Sequence, residues 1–172
     1  MVNGYPRIQQ YSNPDLTWDG QPTLDRFIDD IVYKAELVTS GGFSKVVAVK
    51  LLKAEFAANP SLVRRFFREA RAANHVGHEN IIEIFDFCEE GEHKYFVMEL
   101  LKGETLGQLM IRDPLHPLGR TLNIAVQVAG ALAAVHAVEI IHRDLKTDNV
   151  FLVGDEERPQ VKLLDFGVSK FL

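Results

Sequence analysis

Cysteine and tryptophan are nearly missing from this 172-residue sequence, which contains one of each. The single cysteine, Cys88, cannot form an internal disulfide, so a disulfide-stapled scaffold is excluded and a reducing compartment fits. No Cys/His spacing resembles a zinc site. We therefore expect a fold held by an ordinary apolar core, for which 47% hydrophobic and 25% charged residues are typical values.

The sequence also lacks a basic excess, a hydrophobic leader and an apolar run of membrane-spanning length. Its formal net charge is −5, whereas chains that bind nucleic acid through phosphate contacts usually lean basic. The densest basic cluster recurs at helical spacing and is interpreted as a solvated helix face; it comprises Arg64, Arg65, Arg68 and Arg71. We expect no nucleic-acid partner, no membrane partner and a cytoplasmic location.

The pattern of the chain changes near residue 31. Residues 1–30 are polar, show no clear period and are interpreted as an atypical leader, with at most one short element near Leu24–Ile31. Alternating and β-branched residues then predict strands at Ile31–Val38 and Val46–Leu52, joined by a turn at Gly41–Gly42.

An amphipathic helix is predicted next, because Asn59 and Pro60 are typical of a helix start and apolar residues follow at helical spacing up to Gly77. A second hairpin is predicted from the strands Ile81–Phe87 and Lys94–Leu100, and Gly103 breaks the pattern and is interpreted as a hinge. The remaining predicted elements are a short helix at Leu106–Ile111, a long helix at Leu118–Val138, and strands at Val150–Val153 and Val161–Leu164. The long helix is apolar nearly all round, which is typical of a helix inside a helical layer.

Four short segments stand out because of their order and spacing. His142–Asn149 reads HRDLKTDN, and Asp165–Gly167 reads DFG after the apolar run VKLL. Asp165 lies 21 residues after Asp144, across a predicted hairpin. Lys50 ends the run VAVK, and Glu69 lies 19 residues later on the predicted helix. Taken alone, His142–Asn149 could be a polar loop and Lys50 a solvated lysine at a strand edge, and a DFG tripeptide is a weak signal. Their combination in this order is far more specific.

Together the segments resemble the protein kinase signature, and from about Ile31 to Leu172 the chain is similar to bacterial Ser/Thr protein kinases of the eukaryotic-like family. The supporting segments are VYKAEL, VAVKLL, FFREARAANHVGHENII, YFVMELLKGETL, HRDLKTDNVFL and VKLLDFGVSK. The resemblance implies an α+β, protein-kinase-like bilobal fold. Residues 31–101 would form a small antiparallel β lobe with one helix, and residues 102–172 an incomplete, mainly helical C-lobe.

The resemblance also implies a role for each motif residue. Asp144 would accept the proton of the incoming hydroxyl, and Lys146 would neutralise charge on the transferring phosphoryl group. Asn149 and Asp165 would hold Mg²⁺ against the phosphates of ATP. Lys50 would contact the α- and β-phosphates with Glu69 as its ion-pair partner. In the adenine pocket, Met98 would be the gatekeeper, Glu99 to Leu101 the hinge, Val32 and Ala48 the roof, and Phe151 the floor.

The sequence departs from this family at the Gly-rich loop. If VYKAEL is the second strand, Asp25, Phe27 and Asp30 occupy the three glycine positions. Glycine lets backbone N–H groups approach a phosphate closely, and two carboxylates there would repel a triphosphate. Gly41–Gly42 is a poor substitute, because too few residues separate it from Lys50 to complete a strand, a turn and a second strand.

The second departure is that the sequence ends five residues after Gly167, without an activation loop or an A-P-E motif. We expect the long helix to expose apolar surface as a result. The predicted function is therefore transfer of the ATP γ-phosphate to Ser/Thr hydroxyls of proteins, in an incomplete, weakly active or inactive form. The alternatives are a non-catalytic, pseudokinase-like binding module and a non-functional gene remnant.

Overall fold

The computed structural model describes residues 30–38, 44–90 and 93–165, which fall into two compact units. The first unit contains the described residues up to Phe66 together with Ile84–Leu100, and the second contains Phe67–Glu83 and the chain from Leu101 onward. The predicted Gly41–Gly42 turn and the leader before residue 30 lie outside the described residues. The predicted division at residues 30 and 101 remains a prediction.

The first unit is built on a four-stranded antiparallel sheet in the order β1-β2-β4-β3. The strands are β1 (Asp30–Val38), β2 (Ser44–Leu52), β3 (Ile84–Glu90) and β4 (His93–Glu99). The predicted strands are confirmed, but β3 begins three residues later than expected. The reason is that Ile81 instead forms a parallel bridge with Leu163 in the second unit.

One face of this sheet is a packed apolar cluster, made of Ala35, Val47, Val49, Cys88, Tyr95 and Val97. These residues recur at every second position along their strands, as the pleat of a half-buried sheet requires. Cys88 is buried among them and packs as a small apolar side chain. Burial of each valine contributes roughly 1.5–3 kcal/mol, so this face supplies much of the stability of the unit.

Helix α1 (Ala54–Ala57) is a single turn that the sequence analysis did not predict, and it precedes the predicted amphipathic helix α2 (Pro60–Val76). The Asn59 side chain caps α2, because its Oδ1 accepts hydrogen bonds from the N–H groups of Ser61 at 3.0 Å and Leu62 at 3.4 Å. Gly77 ends the helix with a φ of 59°, in the left-handed region that favours glycine. Both predicted ends of α2 are confirmed.

The second unit contains a three-stranded antiparallel sheet in the order β5-β6-β7. Its strands are β5 (Gly103–Thr105), β6 (Val150–Val153) and β7 (Gln160–Leu163). Residues 102–103 were predicted to be a break between elements, but Gly103 begins β5, which was not predicted. Gly103 has a φ of 157°, and a Cβ there would clash with the carbonyl oxygen of Leu152, so glycine permits the close pairing of β5 with β6.

Two helices lie in this unit, α3 (Leu106–Arg112) and α4 (Leu118–Ala137). A capping box fixes the start of α3: the Thr105 hydroxyl accepts from the Gln108 N–H at 3.2 Å, and Gln108 Oε1 accepts from the Thr105 N–H at 2.8 Å. The predicted positions of both helices are confirmed to within a residue at each end.

Helix α4 is buried on one side only, which corrects the interpretation that it lies inside a helical layer. Ile124 and Val135 are buried, whereas Leu118, Leu122 and Val126 are 72%, 55% and 71% exposed. The expectation that this helix exposes apolar surface is thus confirmed. By length and composition alone α4 could also cross a membrane, but such a helix is weak evidence for a span because helices of soluble proteins have the same composition.

Candidate active site

The loop that carries the HRDLKTDN segment holds three of the predicted catalytic and metal-binding side chains together. Lys146 Nζ lies 2.6 Å from Asp144 Oδ2, and Asn149 Nδ2 donates to the same oxygen at 3.0 Å. Asn149 Nδ2 also donates to the Asp144 carbonyl oxygen at 2.8 Å. The orientation of the Asp144 carboxylate is therefore fixed by the Lys146 ammonium and the Asn149 amide, which lie two and five residues later in the same loop.

The local backbone explains this convergence. The Asp144 N–H donates to the His142 carbonyl oxygen at 2.9 Å, and the Asn149 N–H donates to that of Lys146 at 2.9 Å, which closes a 3-10 turn at Thr147–Asn149. Arg143, between His142 and Asp144, has a φ of 62°. A non-glycine residue in this conformation costs about 1–3 kcal/mol, and such strain concentrates at functional sites.

The DFG aspartate is connected to this loop through its neighbour Leu164. The Leu164 N–H donates to the Asn149 carbonyl oxygen at 2.9 Å, and His142 Nε2 donates to the Leu164 carbonyl oxygen at 3.0 Å. Asp165 follows with a φ of 42°. The two predicted metal-binding residues are thus close to each other, because Asn149 is hydrogen bonded to Leu164, the residue directly before Asp165.

His142 is a structural anchor of this arrangement, a role that the sequence analysis did not assign. Its side chain is only 2% exposed. Burial lowers the pKa of His142 below its usual value, against the opposing influence of the Leu164 carbonyl and the carboxylates of Asp144 and Asp165. At neutral pH the imidazole is therefore uncharged, with its proton on Nε2, since a carbonyl oxygen can only accept.

The donor set on this loop fits a hard divalent cation. Asn149 uses its amide nitrogen on Asp144, so its amide oxygen is the atom able to ligate a metal, and Asp165 contributes a carboxylate. Mg²⁺ prefers oxygen ligands and is commonly held by one or two protein groups together with phosphates. Among the described residues no group of three or more His, Cys, Asp and Glu side chains is arranged to hold a metal ion, so a cation here would depend on Asn149, Asp165 and the phosphates of the nucleotide.

The predicted nucleotide-contacting residues of the first unit lie on one face of its sheet. Val32 pairs directly with Lys50, and Ala48 pairs directly with Met98. Since Ala48 and Lys50 are two residues apart on β2, all four side chains share the face opposite the apolar cluster. Lys50 is 8% exposed and its Nζ lies 5.9 Å from the Phe96 ring centre, so this lysine is not the solvated strand-edge residue that was the alternative.

The remaining predicted site residues are distributed over both units. Glu99 ends β4, Leu101 lies two residues beyond it, and Phe151 lies on β6 with its ring close to Gly103; all three side chains are half-buried. Glu69 is half-buried on α2, in the second unit, whereas Lys50 is in the first. The predicted Lys50–Glu69 ion pair therefore stays a prediction. Of the three lost glycine positions, Asp25 and Phe27 lie outside the described residues.

A contact between α3 and the catalytic loop was also missed by the sequence analysis. A Cβ at Gly107, in the first turn of α3, would clash with the Asp148 carboxylate. Glycine lets α3 lie against the 3-10 turn without displacing the end of the Asp148 side chain. The signal was present as a glycine inside a helical segment, which usually has a packing reason.

Comparison with known proteins agrees with the motifs. Residues 32–172 match the protein kinase domain family. The serine/threonine-protein kinase Pkn1 of Myxococcus xanthus is 46% identical over 140 residues, which are 81% of this chain and 20% of that protein. The serine/threonine-protein kinase PrkC of Bacillus subtilis is 37% identical over 142 residues, which are 82% of this chain and 21% of that protein. The chain thus spans about a fifth of the length of these relatives.

The fold agrees as well. The crystal structure of the PknI kinase domain of Mycobacterium tuberculosis matches with a TM-score of 0.62 at 32% identity, covering 80% of this chain and 53% of that one. The predicted α+β, protein-kinase-like fold and the resemblance to bacterial Ser/Thr kinases are confirmed, and the match begins at Val32, just after the predicted leader. The chain belongs to the protein kinase domain family, of which it carries a part.

Proposed function

We propose that this chain is the ATP-binding and catalytic-loop part of a cytoplasmic Ser/Thr protein kinase, with residues 31–101 as its N-lobe and residues 102–172 as part of its C-lobe. The observation that carries the proposal is the Asp144 carboxylate, held by Lys146 at 2.6 Å and Asn149 at 3.0 Å. A carboxylate fixed in this way can orient a substrate hydroxyl, while the adjacent ammonium offsets charge on a phosphoryl group.

The reaction assigns a separate task to each group. A Ser or Thr oxygen of the substrate protein attacks the γ-phosphorus of ATP, the bond to ADP breaks, and the hydroxyl proton passes to Asp144. Lys146 would offset negative charge on the transferring phosphoryl group. Asn149 and Asp165 would hold Mg²⁺, which would offset the charge of the phosphates, and Lys50 would contact the α- and β-phosphates. Phosphoryl transfer depends mainly on positioning and charge, which these side chains supply.

Binding of ATP with Mg²⁺ to the purified chain, measured by calorimetry, tests this proposal. Asp165→Ala should lose most of the Mg²⁺-dependent affinity, because it removes the only carboxylate assigned to the metal. Asp144→Asn keeps the size of the side chain and should retain nucleotide binding. Transfer of ³²P to a Ser/Thr-rich protein, absent in Asp144→Asn, would then assign catalysis to the chain itself.

A folded chain that binds no nucleotide would contradict the proposal. It would favour the second candidate, a non-catalytic binding module, for which the exposed apolar side of α4 is the supporting observation. Circular dichroism on the same samples separates that outcome from a chain that has not folded, as a gene remnant would be.

A further inference from the structure

Gln127, near the middle of α4, makes four hydrogen bonds that no kinase motif requires. Its Oε1 accepts from the Val161 N–H at 2.9 Å and from Asn80 Nδ2 at 2.9 Å. Its Nε2 donates to the Pro159 carbonyl oxygen at 2.8 Å and to Asn123 Oδ1 at 2.8 Å. One side chain therefore connects α4, the strand β7 with the residue before it, and the segment that follows α2.

The orientation of both amides is fixed by backbone partners. A backbone N–H can only donate and a carbonyl can only accept, so Val161 and Pro159 determine which end of the Gln127 amide is oxygen. Asn80 is fixed in the same way, since its Nδ2 donates to the Val161 carbonyl oxygen at 2.8 Å. The network is thus internally consistent, and Asn80 and Val161 within it are 6% and 0% exposed.

The segment after α2 is also joined to β7 through its backbone. The Leu163 N–H donates to the Asn80 carbonyl oxygen at 2.8 Å, and the Ile82 N–H donates to the Leu163 carbonyl oxygen at 3.1 Å. Gln127 and Asn80 lie at the start of this pairing. Together with the antiparallel pairing of Val161 with Leu152 and of Leu163 with Val150, they favour this register, because a one-residue slip would turn the Val161 N–H and carbonyl away from both amides.

Strand β7 leads directly into the site. Leu164, next to Leu163, is hydrogen bonded to Asn149 and His142, and Asp165 follows it. A shift of β7 along its axis would therefore displace the carboxylate of Asp165 relative to the amide of Asn149.

We propose that Gln127, together with Asn80, is a positioning residue that holds β7 in the register that places Asp165 beside Asn149 for metal binding. This proposal rests on the proposed kinase function for its metal, but the register itself can be measured without any nucleotide. The hydrogen bonds of Gln127 go to Asn80, Asn123, Pro159 and Val161, so it would act on Asp165 through the backbone of β7, one step further out than the direct hydrogen-bond partners of metal ligands.

The first measurement is amide hydrogen exchange on the full chain without nucleotide. Gln127→Met preserves length and removes all four hydrogen bonds, so the amides of Val161, Leu163 and Leu164 should exchange about tenfold faster or more. Asn123→Ala is the matched control, since it removes only the Asn123 bond and leaves the three that reach β7 and Asn80. Unchanged exchange in Gln127→Met, or equal acceleration in both variants, would overturn the proposal.

The second measurement separates positioning from general stability. Nucleotide affinity is measured with and without Mg²⁺. In Gln127→Met the factor by which Mg²⁺ increases the affinity should be about tenfold smaller than in the wild type, which is the lower end of the effect of losing a hydrogen-bond partner of a metal ligand. The affinity without Mg²⁺ should be unchanged. An equal loss in both conditions would mean a structural role only and would overturn the proposal.

Two contingencies keep the test decisive. If Gln127→Met does not fold, Gln127→Glu replaces it, because its carboxylate still accepts from Val161 and Asn80 but cannot donate to Pro159. That variant should show a smaller acceleration of exchange at Val161 than at Leu163 and Leu164, and the reverse would contradict the proposed register. If the wild-type chain binds no nucleotide, the proposed function fails for this chain, and the exchange data alone decide on Gln127.

Discussion

Helices α2 and α4 are the two longest in the described chain, and they are specified in opposite ways. The start of α2 is capped by the Asn59 side chain, and its end is a glycine, Gly77, at a φ of 59°. The residue before α4 is Pro117, which makes no side-chain cap, and Glu139 after it has a φ of 60°. Local signals define α2, whereas α4 depends on contacts with the rest of its unit.

Their exposed surfaces differ in the same sense. The positions of α2 that face solvent carry arginines, which confirms the interpretation of that cluster as a solvated helix face. The corresponding positions of α4 carry Leu118, Leu122 and Val126, one residue every turn. Exposed apolar rows of this kind mark surfaces that other protein covers. The exposed side of α2 is thus charged, whereas the exposed side of α4 keeps large apolar side chains in contact with solvent.

The largest expected effect comes from placing the same charge on the two sides of α4. Val135 is fully buried and Val126 is 71% exposed, so Val135→Asp and Val126→Asp are chemically identical changes at opposite sites. Val135→Asp buries an unpaired carboxylate and should destabilise the second unit by about 4 kcal/mol or more, enough to unfold it. Val126→Asp should leave the melting temperature nearly unchanged in thermal denaturation followed by circular dichroism, at protein concentrations low enough to keep the wild-type chain monomeric.

If both variants melt alike, α4 does not pack against its unit as described. Equal and small effects would mean that Val135 is accessible, and equal and large effects would mean that the Val126 side is covered. Either result would remove the contrast between the two sides of this helix.

The next effect concerns association. We expect the exposed row of α4 to make the wild-type chain self-associate at micromolar concentration, because apolar area is then removed from water. The double variant Leu122→Lys with Val126→Lys should sediment as a monomer at concentrations where the wild type does not. Arg64→Ala with Arg68→Ala, a change of equal number on the exposed side of α2, is the control and should not alter sedimentation.

The sequence predicted these elements well where local chemistry dominates. The ends of α2 follow from Asn59, Pro60 and Gly77, and the catalytic loop follows from HRDLKTDN, because residues close in sequence hold Asp144. The strands β1, β2 and β4 follow from alternation. In each case the determining contacts lie within a few residues or repeat at a fixed period.

What the sequence could not predict depends on partners distant along the chain. Strand β5 exists because Gly103 approaches Leu152, 49 residues away in number, and β3 starts late because Ile81 pairs with Leu163. The role of Gln127 is invisible for the same reason, since a glutamine on a helix is normally read as surface. The sequence predicted that α4 is buried on all sides, because a helix that is apolar nearly all round is typical of a buried helix. In the structure one of its apolar sides is exposed.

Removing the cap of α2 should have a moderate effect. Asn59→Ala deletes the side-chain acceptor for the N–H groups of Ser61 and Leu62 and should cost about 1 kcal/mol. Denaturant unfolding with Asn59→Ser and Asn59→Asp alongside would check the mechanism, because both retain an oxygen that can accept. If serine and aspartate are as destabilising as alanine, the hydrogen bonds do not contribute and the local specification of α2 is wrong.

The smallest effect has the opposite sign and tests α4. Glu139 closes α4 with a left-handed residue: its N–H donates to the His136 carbonyl oxygen at 3.0 Å, and the Ile140 N–H donates to that of Val135 at 3.1 Å. Glycine is the preferred residue at such a position, so Glu139→Gly should stabilise the second unit by about 0.5–1 kcal/mol. Glu139→Ala is the control, because it removes the carboxylate from the negative end of the helix dipole but keeps the Cβ. If alanine stabilises the unit as much as glycine does, the unfavourable term at Glu139 is its charge and not its backbone conformation. If only glycine stabilises it, the end of α4 is strained. In that case Gly77→Ala, at a φ of 59° at the end of α2, should lower the free energy of unfolding by a similar amount.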